Sequence, residues 1–306
     1  MVRVFYRAPM GRSLRLAVAQ STVPEDPTDP ENLRASGRQM RTLLRAAGAA
    51  GARLVQFPEG AITYPGKHVL SSGPRGTLAA SDWSRVDWEV VRAEAESVAD
   101  LAGELGLWVA FGAPHPLTPP HRPHNSLYVV SDEGVLVSRC DKRYLSHTEV
   151  SHMYTPGTEP LVFEVDGIRF GTALCIEVNF PEVFHEYERL GVDCLLVSVM
   201  VDDAARAVVA QAYSTLYNYW VGYSVPAQFG ATAPAAVFAP GGRRLASCPA
   251  DSRPGLAIAD IDLDSRDSDI DAALRLVRPW RRTARAGLYE GHVVRGDRRS
   301  DTRTEF

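Results

Sequence analysis

The run Leu54-Val55-Gln56-Phe57-Pro58-Glu59 reads as a short buried strand, Leu54 to Phe57, that a proline stops. A carboxylate, Glu59, therefore stands just past a strand's C-terminal end, the edge where layered α/β proteins place their chemistry. The flanking sequence supports that architecture. Leu14 to Gln20 reads as a strand, and Asp29-Pro30 then supplies an N-cap followed by proline at the first helical position. Leu33, Met40, Leu43, Leu44 and Ala47 recur at helical spacing, which predicts an amphipathic helix over Pro30 to Ala50. Trp88 to Leu105 reads as a second helix closed by Gly106, and Leu107 to Gly112 as the next strand.

Further along, hairpins take over. Asn125 to Val130 and Val135 to Cys140 flank the turn Ser131-Asp132-Glu133-Gly134, and Lys142 follows the second strand. Leu161 to Val165 and Ile168 to Ala173 flank Asp166-Gly167, a strong hairpin signal, and the second of them delivers Cys175. A helix over Glu182 to Leu190, a strand over Cys194 to Val199 and a helix over Ala204 to Asn218 come next. Strands over Tyr219 to Ser224 and Leu256 to Ile261 bracket a hairpin over Val237 to Ala246. Early βα alternation with later hairpins predicts a sheet-rich α/β sandwich.

Composition narrows the function classes. The chain has 306 residues, 45% of them hydrophobic and 23% charged, ordinary values for a globular protein. A formal charge of −4 and the lack of a basic run argue against a nucleic-acid partner. No apolar stretch approaches the roughly 18 residues of a membrane span. Met1 to Gly11 has no apolar core of a signal peptide, so the expectation is a cytoplasmic protein with free Cys140, Cys175, Cys194 and Cys248. Of 33 basic residues only Lys67 and Lys142 are lysines, so a lysine marks a place where a compact ammonium is wanted. His115, His121 and His124 crowd a proline-rich stretch whose spacing matches no zinc pattern, and Asp202-Asp203 suits a helix cap better than a metal. The expectation is neither metal nor cofactor.

Glu59, Lys142 and Cys175 each terminate a predicted strand, and one shared sheet edge would let them converge. A free thiol has a pKa of about 8.5, so a base must take its proton as it attacks a carbonyl or nitrile carbon. The same carboxyl can then protonate the departing nitrogen, and an ammonium can stabilise the oxyanion. Taken singly, the three residues are ordinary: a buried thiol, a capping carboxylate, a surface charge.

Their surroundings are not ordinary. The segments Leu54 to Glu59, Asp141-Lys142-Arg143-Tyr144-Leu145 and Leu174-Cys175-Ile176-Glu177-Val178-Asn179-Phe180-Pro181-Glu182 resemble, in order, the three motif blocks of the nitrilase superfamily of carbon–nitrogen hydrolases. Ala17-Val18-Ala19-Gln20, Asn125-Ser126 and Pro156-Gly157 extend the likeness, which runs from about Leu14 to Ile261. The resemblance implies a four-layer αββα sandwich with Glu59 as general base, Cys175 as nucleophile, Lys142 as oxyanion donor and the Ile176 N–H as a second donor. It implies a second carboxylate beyond the lysine, best placed at Glu149 and less well at Glu159. It also implies a homodimer or higher homo-oligomer. Residues 14–286 would form the hydrolase domain, 1–13 an extension and 287–306 a polar tail.

Two departures bear on the substrate. Many amidases and carbamoylases of the family carry Arg four residues after the nucleophile, where this chain has Asn179. That favours a small neutral amide, unless Arg143 or another arginine replaces the cation. Glu177, two after the nucleophile, resembles nitrilases and some amidases, so Tyr64, Ile176, Glu177 and Asn179 are the expected substrate contacts. A nitrilase proper, an acyltransferase passing the same thioester to an amine, and a non-catalytic scaffold are the alternatives.

Overall fold

A computed structural model describes residues 12–301. Two six-stranded sheets stack face to face, with helices on both outer sides, giving the four-layer αββα sandwich. The first sheet contains β1 (Ser13–Gln20), β2 (Leu54–Gln56), β3 (Trp108–His115), β4 (His124–Val130), β5 (Leu136–Asp141) and β12 (Gly255–Asp262). Its order is β12-β1-β2-β3-β4-β5. The second contains β6 (Val162–Val165), β7 (Ile168–Leu174), β8 (Cys194–Ser198), β9 (Trp220–Ser224), β10 (Ala236–Phe238) and β11 (Arg244–Ser247), in sequential order across the sheet. Each sheet has the same succession of pairings: antiparallel, two parallel, then two antiparallel. The chain thus builds one arrangement twice.

The side-chain period of two explains the stacking. Leu14, Leu16 and Val18 of β1 face the second sheet, while Ala17 and Ala19 face the helices α1 (Pro30–Ala49) and α2 (Trp88–Leu105). Asp29 caps α1 by accepting from the Glu31 N–H, as its sequence predicts. On the opposite outer side, α3 (Pro181–Arg189) and α4 (Ala204–Tyr217) bury Val183, Phe184, Tyr187, Ala210 and Tyr213.

Polar staples fix the two facing sheets to each other. Gln56 Nε2, between the sheets, donates to Val197 O at 2.9 Å and to Gly222 O at 3.2 Å. Ser198 Oγ donates to Phe57 O and Ser224 Oγ to Ala19 O. These bonds align the C-terminal ends of β1 and β2 with those of β8 and β9. One shared rim results.

The strands follow the sequence within a residue or two, apart from β3, which continues to His115. Strand β1 begins at Ser13, and Met1 to Gly11, including the signal-peptide reading, lie outside the described residues. A helical run beyond β12, Ser268–Ala272 through Ala273–Val277 to Arg278–Thr283, is absent from the sequence reading. Asp267 caps it by accepting from the Asp269 and Ile270 N–H groups, a signal that an Asp-rich stretch disguises. Arg278 and Arg281 fasten the run to Asp193 and Glu188. Among the described residues no helix is long and apolar enough to cross a membrane.

Candidate active site

Three segments of the first sheet meet on the shared rim: the turn after β2, the start of β4 and the loop after β5. Gly112 on β3 makes the first approach possible, because a Cβ there would lie 2.2 Å from Gly60 N. Glu59 is thereby folded back into the protein and fully buried. The loop after β5 is tied down by Lys142 N–H donating to Asn125 O and Gly157 N–H donating to Lys142 O. Gly157 has no alternative residue at this contact, since a Cβ would stand 2.3 Å from Asp141 O.

Lys142 is buried with its ammonium between two carboxylates. Nζ lies 2.7 Å from Glu59 Oε1 and 2.7 Å from Glu149 Oε1. Asn125 Nδ2 donates to Glu59 Oε1 at 2.8 Å and approaches Glu149 Oε1 at 3.4 Å. The Tyr64 hydroxyl donates to Glu149 Oε1 at 3.1 Å, and the Ser146 N–H to Glu149 Oε2 at 2.7 Å. Glu149 opens a π-helical turn, Glu149–Met153, that the sequence reading lacks. Of the two candidate second carboxylates, Glu149 reaches the lysine, whereas Glu159 is exposed.

These contacts push the two carboxylates apart electrostatically. Burial raises Glu59, and the nearby Glu149 charge adds to that; Lys142 and Asn125 pull it down without cancelling the rise. Burial acts upward on Glu149 too, but Lys142 and the Ser146 amide outweigh it, and its pKa falls. For Lys142, burial penalises the ammonium, yet Glu59 and Glu149 outweigh that and hold it charged. One carboxylate is therefore a fixed counter-ion, and the other is poised to exchange a proton. Glu59 Oε2 is buried without a hydrogen-bond partner among the described residues.

Cys175 comes from the second sheet, at the end of β7. It opens a 3₁₀ turn, Cys175–Asn179, with φ of 44°. A left-handed backbone at a non-glycine residue is strained by about 1–3 kcal/mol and needs its surroundings to hold it. Glu177 does so. Its Oε2 accepts from Leu174 N–H at 2.8 Å, and its Oε1 accepts from the N–H groups of Arg143 and Tyr144 at 2.8 and 3.2 Å. The nucleophile loop and the lysine loop are thus clamped together by one buried carboxylate. Glu177, expected at the substrate, thus has three backbone N–H groups on its carboxylate oxygens, the partners that a buried polar group needs.

Burial raises the Cys175 thiol well above its ordinary range, Glu59 raises it further, and Lys142 and a Met200 N–H bond partly offset both. The thiol is therefore protonated at neutral pH and needs a base. Ile176, next in the 3₁₀ turn, is half-buried, and the first N–H groups of such a turn have no intrahelical partner. Asn179 is exposed, with its side-chain oxygen engaged by Arg206. Tyr64 points its hydroxyl at Glu149.

The other sequence candidates fall elsewhere. His115 Nδ1 meets the Tyr128 hydroxyl at 2.7 Å, His124 Nδ1 meets Thr155 O at 2.8 Å, and His121 is exposed in its loop. Asp203 caps α4 through the Ala205 N–H. Asn125, which donates to Glu59, has neither charge nor nucleophilicity to mark it; only its place in the Asn125-Ser126 motif points to it.

A buried carboxylate–ammonium–carboxylate cluster opposite a strained cysteine, on the common rim of two stacked sheets, is an arrangement for attack on an acyl carbon. Residues 15–270 match the carbon–nitrogen hydrolase family, and the chain belongs to that family. It is 23% identical to an omega-amidase of Xenopus tropicalis over 292 residues, 90% of this chain and 96% of that protein. A hydrolase of Mycobacterium tuberculosis is 27% identical over 281 residues, covering 82% and 90% of the two chains. A 2-oxoglutaramate amidase of Bacillus subtilis is 28% identical over 76 residues, and that match spans only 29% of its length. Among solved structures, an amidase from Nesterenkonia sp. superposes with a TM-score of 0.66 at 20% identity, covering 89% of this chain and 97% of that one. Other structures of the Nesterenkonia amidase hold butyramide or carry a covalent acetamide moiety on the active-site cysteine.

Proposed function

We propose that this protein hydrolyses an amide of a small acid through a thioester on Cys175, with Glu59 and Lys142 completing the catalytic set. The observation that carries the reading is the Glu59–Lys142–Glu149 cluster, in which the carboxyl raised by burial keeps one oxygen unpartnered. Glu59 Oε2 is the atom free to take the thiol proton as sulfur bonds to the amide carbon. The oxyanion that forms is met by Lys142 Nζ and the Ile176 N–H. Collapse of this intermediate expels the nitrogen, which takes the proton from Glu59 and leaves as ammonia. Water, deprotonated by the same carboxylate, then adds to the thioester, and collapse returns the thiol and releases the acid. Glu149, Asn125 and Tyr64 hold the ammonium and the base in register; Glu177 holds the two loops together.

The test is ammonia release from a panel of short amides by purified protein and by Cys175→Ala. Wild-type turnover that vanishes in the variant is expected; a variant retaining full activity would end the proposal. The pH profile supplies a second check. The catalytic base must be ionised, and burial raises Glu59. The acid limb of kcat/KM is therefore expected above the ordinary carboxylate range of about 4.3, with activity falling as pH drops through the raised value. An acid limb below that range would assign the base to another group.

A further inference from the structure

Asn125 and Lys142 reach Glu59 from neighbouring strands, and the residue beside each points the other way. In a strand, successive side chains take opposite faces. Ser126, next to Asn125, and Asp141, next to Lys142, share the outer face with Tyr128, which packs into the core under α1 and α2. They are register partners across β4 and β5, and Ser126 Oγ donates to Asp141 Oδ1 at 2.6 Å.

The grip on Asp141 continues along that face. Arg139, two residues earlier on β5, donates from Nε to Oδ1 at 2.7 Å and from Nη2 to Oδ2 at 2.9 Å. His124 Nε2 stands 3.9 Å from Oδ2. The Nη1 of Arg139 meets His115 Nε2 on β3 at 2.7 Å. A guanidinium only donates, so Nε2 accepts and the ring proton sits on Nδ1, which donates to the Tyr128 hydroxyl at 2.7 Å. Burial pushes the Asp141 carboxyl up, but Arg139 and Ser126 outweigh it and hold it below its ordinary range. Side chains of three strands thus converge on one ionised carboxylate.

Strand β5 needs such a hold. It is the edge strand of its sheet, paired on one side only, and its register with β4 shifts between Val129 and Val130. A slip of one residue would turn its side chains to the opposite face and carry the Lys142 ammonium away from Glu59 and Glu149. Backbone bonds alone do not prevent this, because every residue offers the same donor and acceptor. The side-chain bonds of Asp141 are specific to one register.

We propose that Arg139 is a positioning residue for the reaction: through Asp141 it fixes the face on which Lys142 leaves the edge strand. This rests on the amidase reading above. Arg139 lies on the outer face and touches no reacting group; its effect passes to Lys142 through the peptide unit that joins residues 141 and 142. A displaced ammonium weakens the oxyanion contact, which is made in full only in the transition state, so the effect falls on kcat rather than KM.

The experiment measures kcat and KM on the best substrate of the short-amide panel, under conditions where denaturant curves show each variant folded. Arg139→Gln is expected to lose about ten- to a hundredfold in kcat, the scale of a small misplacement at the reacting centre. KM should change by less than about twofold, since ground-state binding is untouched. Arg139→Lys, with a cation but no fork, loses less than Arg139→Gln yet stays below wild type, and decides the question alone if the glutamine variant does not fold. Ser126→Ala keeps the Arg139 grip and also loses less. Arg41→Gln, which breaks the Arg41–Glu94 ion pair between α1 and α2, keeps wild-type kcat. An unchanged kcat in the Arg139 variants, a loss confined to KM, or an equal loss in Arg41→Gln would overturn the assignment and leave the amidase reading intact. If wild type turns over no amide of the panel, the amidase reading falls, and this proposal with it.

Discussion

Lys142→Met is expected to lose both turnover and stability. Removing the ammonium leaves Glu59 and Glu149 facing each other in a buried site with only Asn125, Tyr64 and the Ser146 amide as donors. Breaking a buried ion pair from one side costs about 3–5 kcal/mol. Loss of an oxyanion donor removes a further factor of roughly 10²–10³ from kcat. The stability deficit has a defined pH dependence. Without Lys142 both carboxylates are raised in the folded state above their unfolded value of about 4.3. The folded protein then binds more protons than the unfolded chain, so the deficit is small below that value and opens as pH rises through the raised values. Denaturant unfolding of wild type and variant at pH 5 and pH 8 measures it. A variant as stable as wild type at pH 8 would show that the cluster does not depend on the cation.

Glu59→Gln separates chemistry from folding. The Gln side-chain oxygen can still accept from Lys142 and Asn125, so the fold should survive. Indeed a buried group that resists ionisation costs little when replaced by a neutral isostere. What disappears is the proton acceptor, which is worth about 10²–10⁴ in kcat. Acylation by a reactive donor such as a thioester or an aryl ester is expected to continue, while hydrolysis of the acyl-enzyme slows. Intact-mass measurement should then show an acyl group on Cys175 that persists in Glu59→Gln and turns over in wild type. A variant with wild-type kcat on amides would remove Glu59 from the proposed mechanism.

Both predictions concern side chains whose importance was visible early, and the reason is local. Glu59, Lys142 and Cys175 sit where a strand ends, and strand ends are set by short-range signals: Pro58 after Phe57, the Ser131 to Gly134 turn ahead of β5, the Asp166-Gly167 turn ahead of β7. The scarcity of lysine marks Lys67 and Lys142 alike, and only the strand-end position separates the second from the first. Asn125 and Glu177 carry no such mark. Their roles are hydrogen bonds across 66 residues, from Asn125 to Glu59, and across 34, from the Arg143 N–H to Glu177. No local periodicity encodes partners so distant. The C-terminal helical run was missed for a related reason. Its binding to the body comes from Arg278 and Arg281 meeting Asp193 and Glu188, while its exposed Leu276 and Trp280 blur the apolar stripe that marks a helix.

The opening segment, Leu54 to Glu59, shows the division most directly. Its sequence by itself determined a buried strand, a proline stop and a carboxylate at the rim, because these depend on neighbouring residues alone. The order of the three blocks likewise pointed to the family that residues 15–270 match. Only the tertiary structure decided that Glu59 rises in pKa while Glu149 falls, since that difference depends on how many donors each oxygen meets inside the protein. It also placed Arg206 against Asn179. Packing of α4 against the nucleophile turn brings together two residues that lie 27 positions apart.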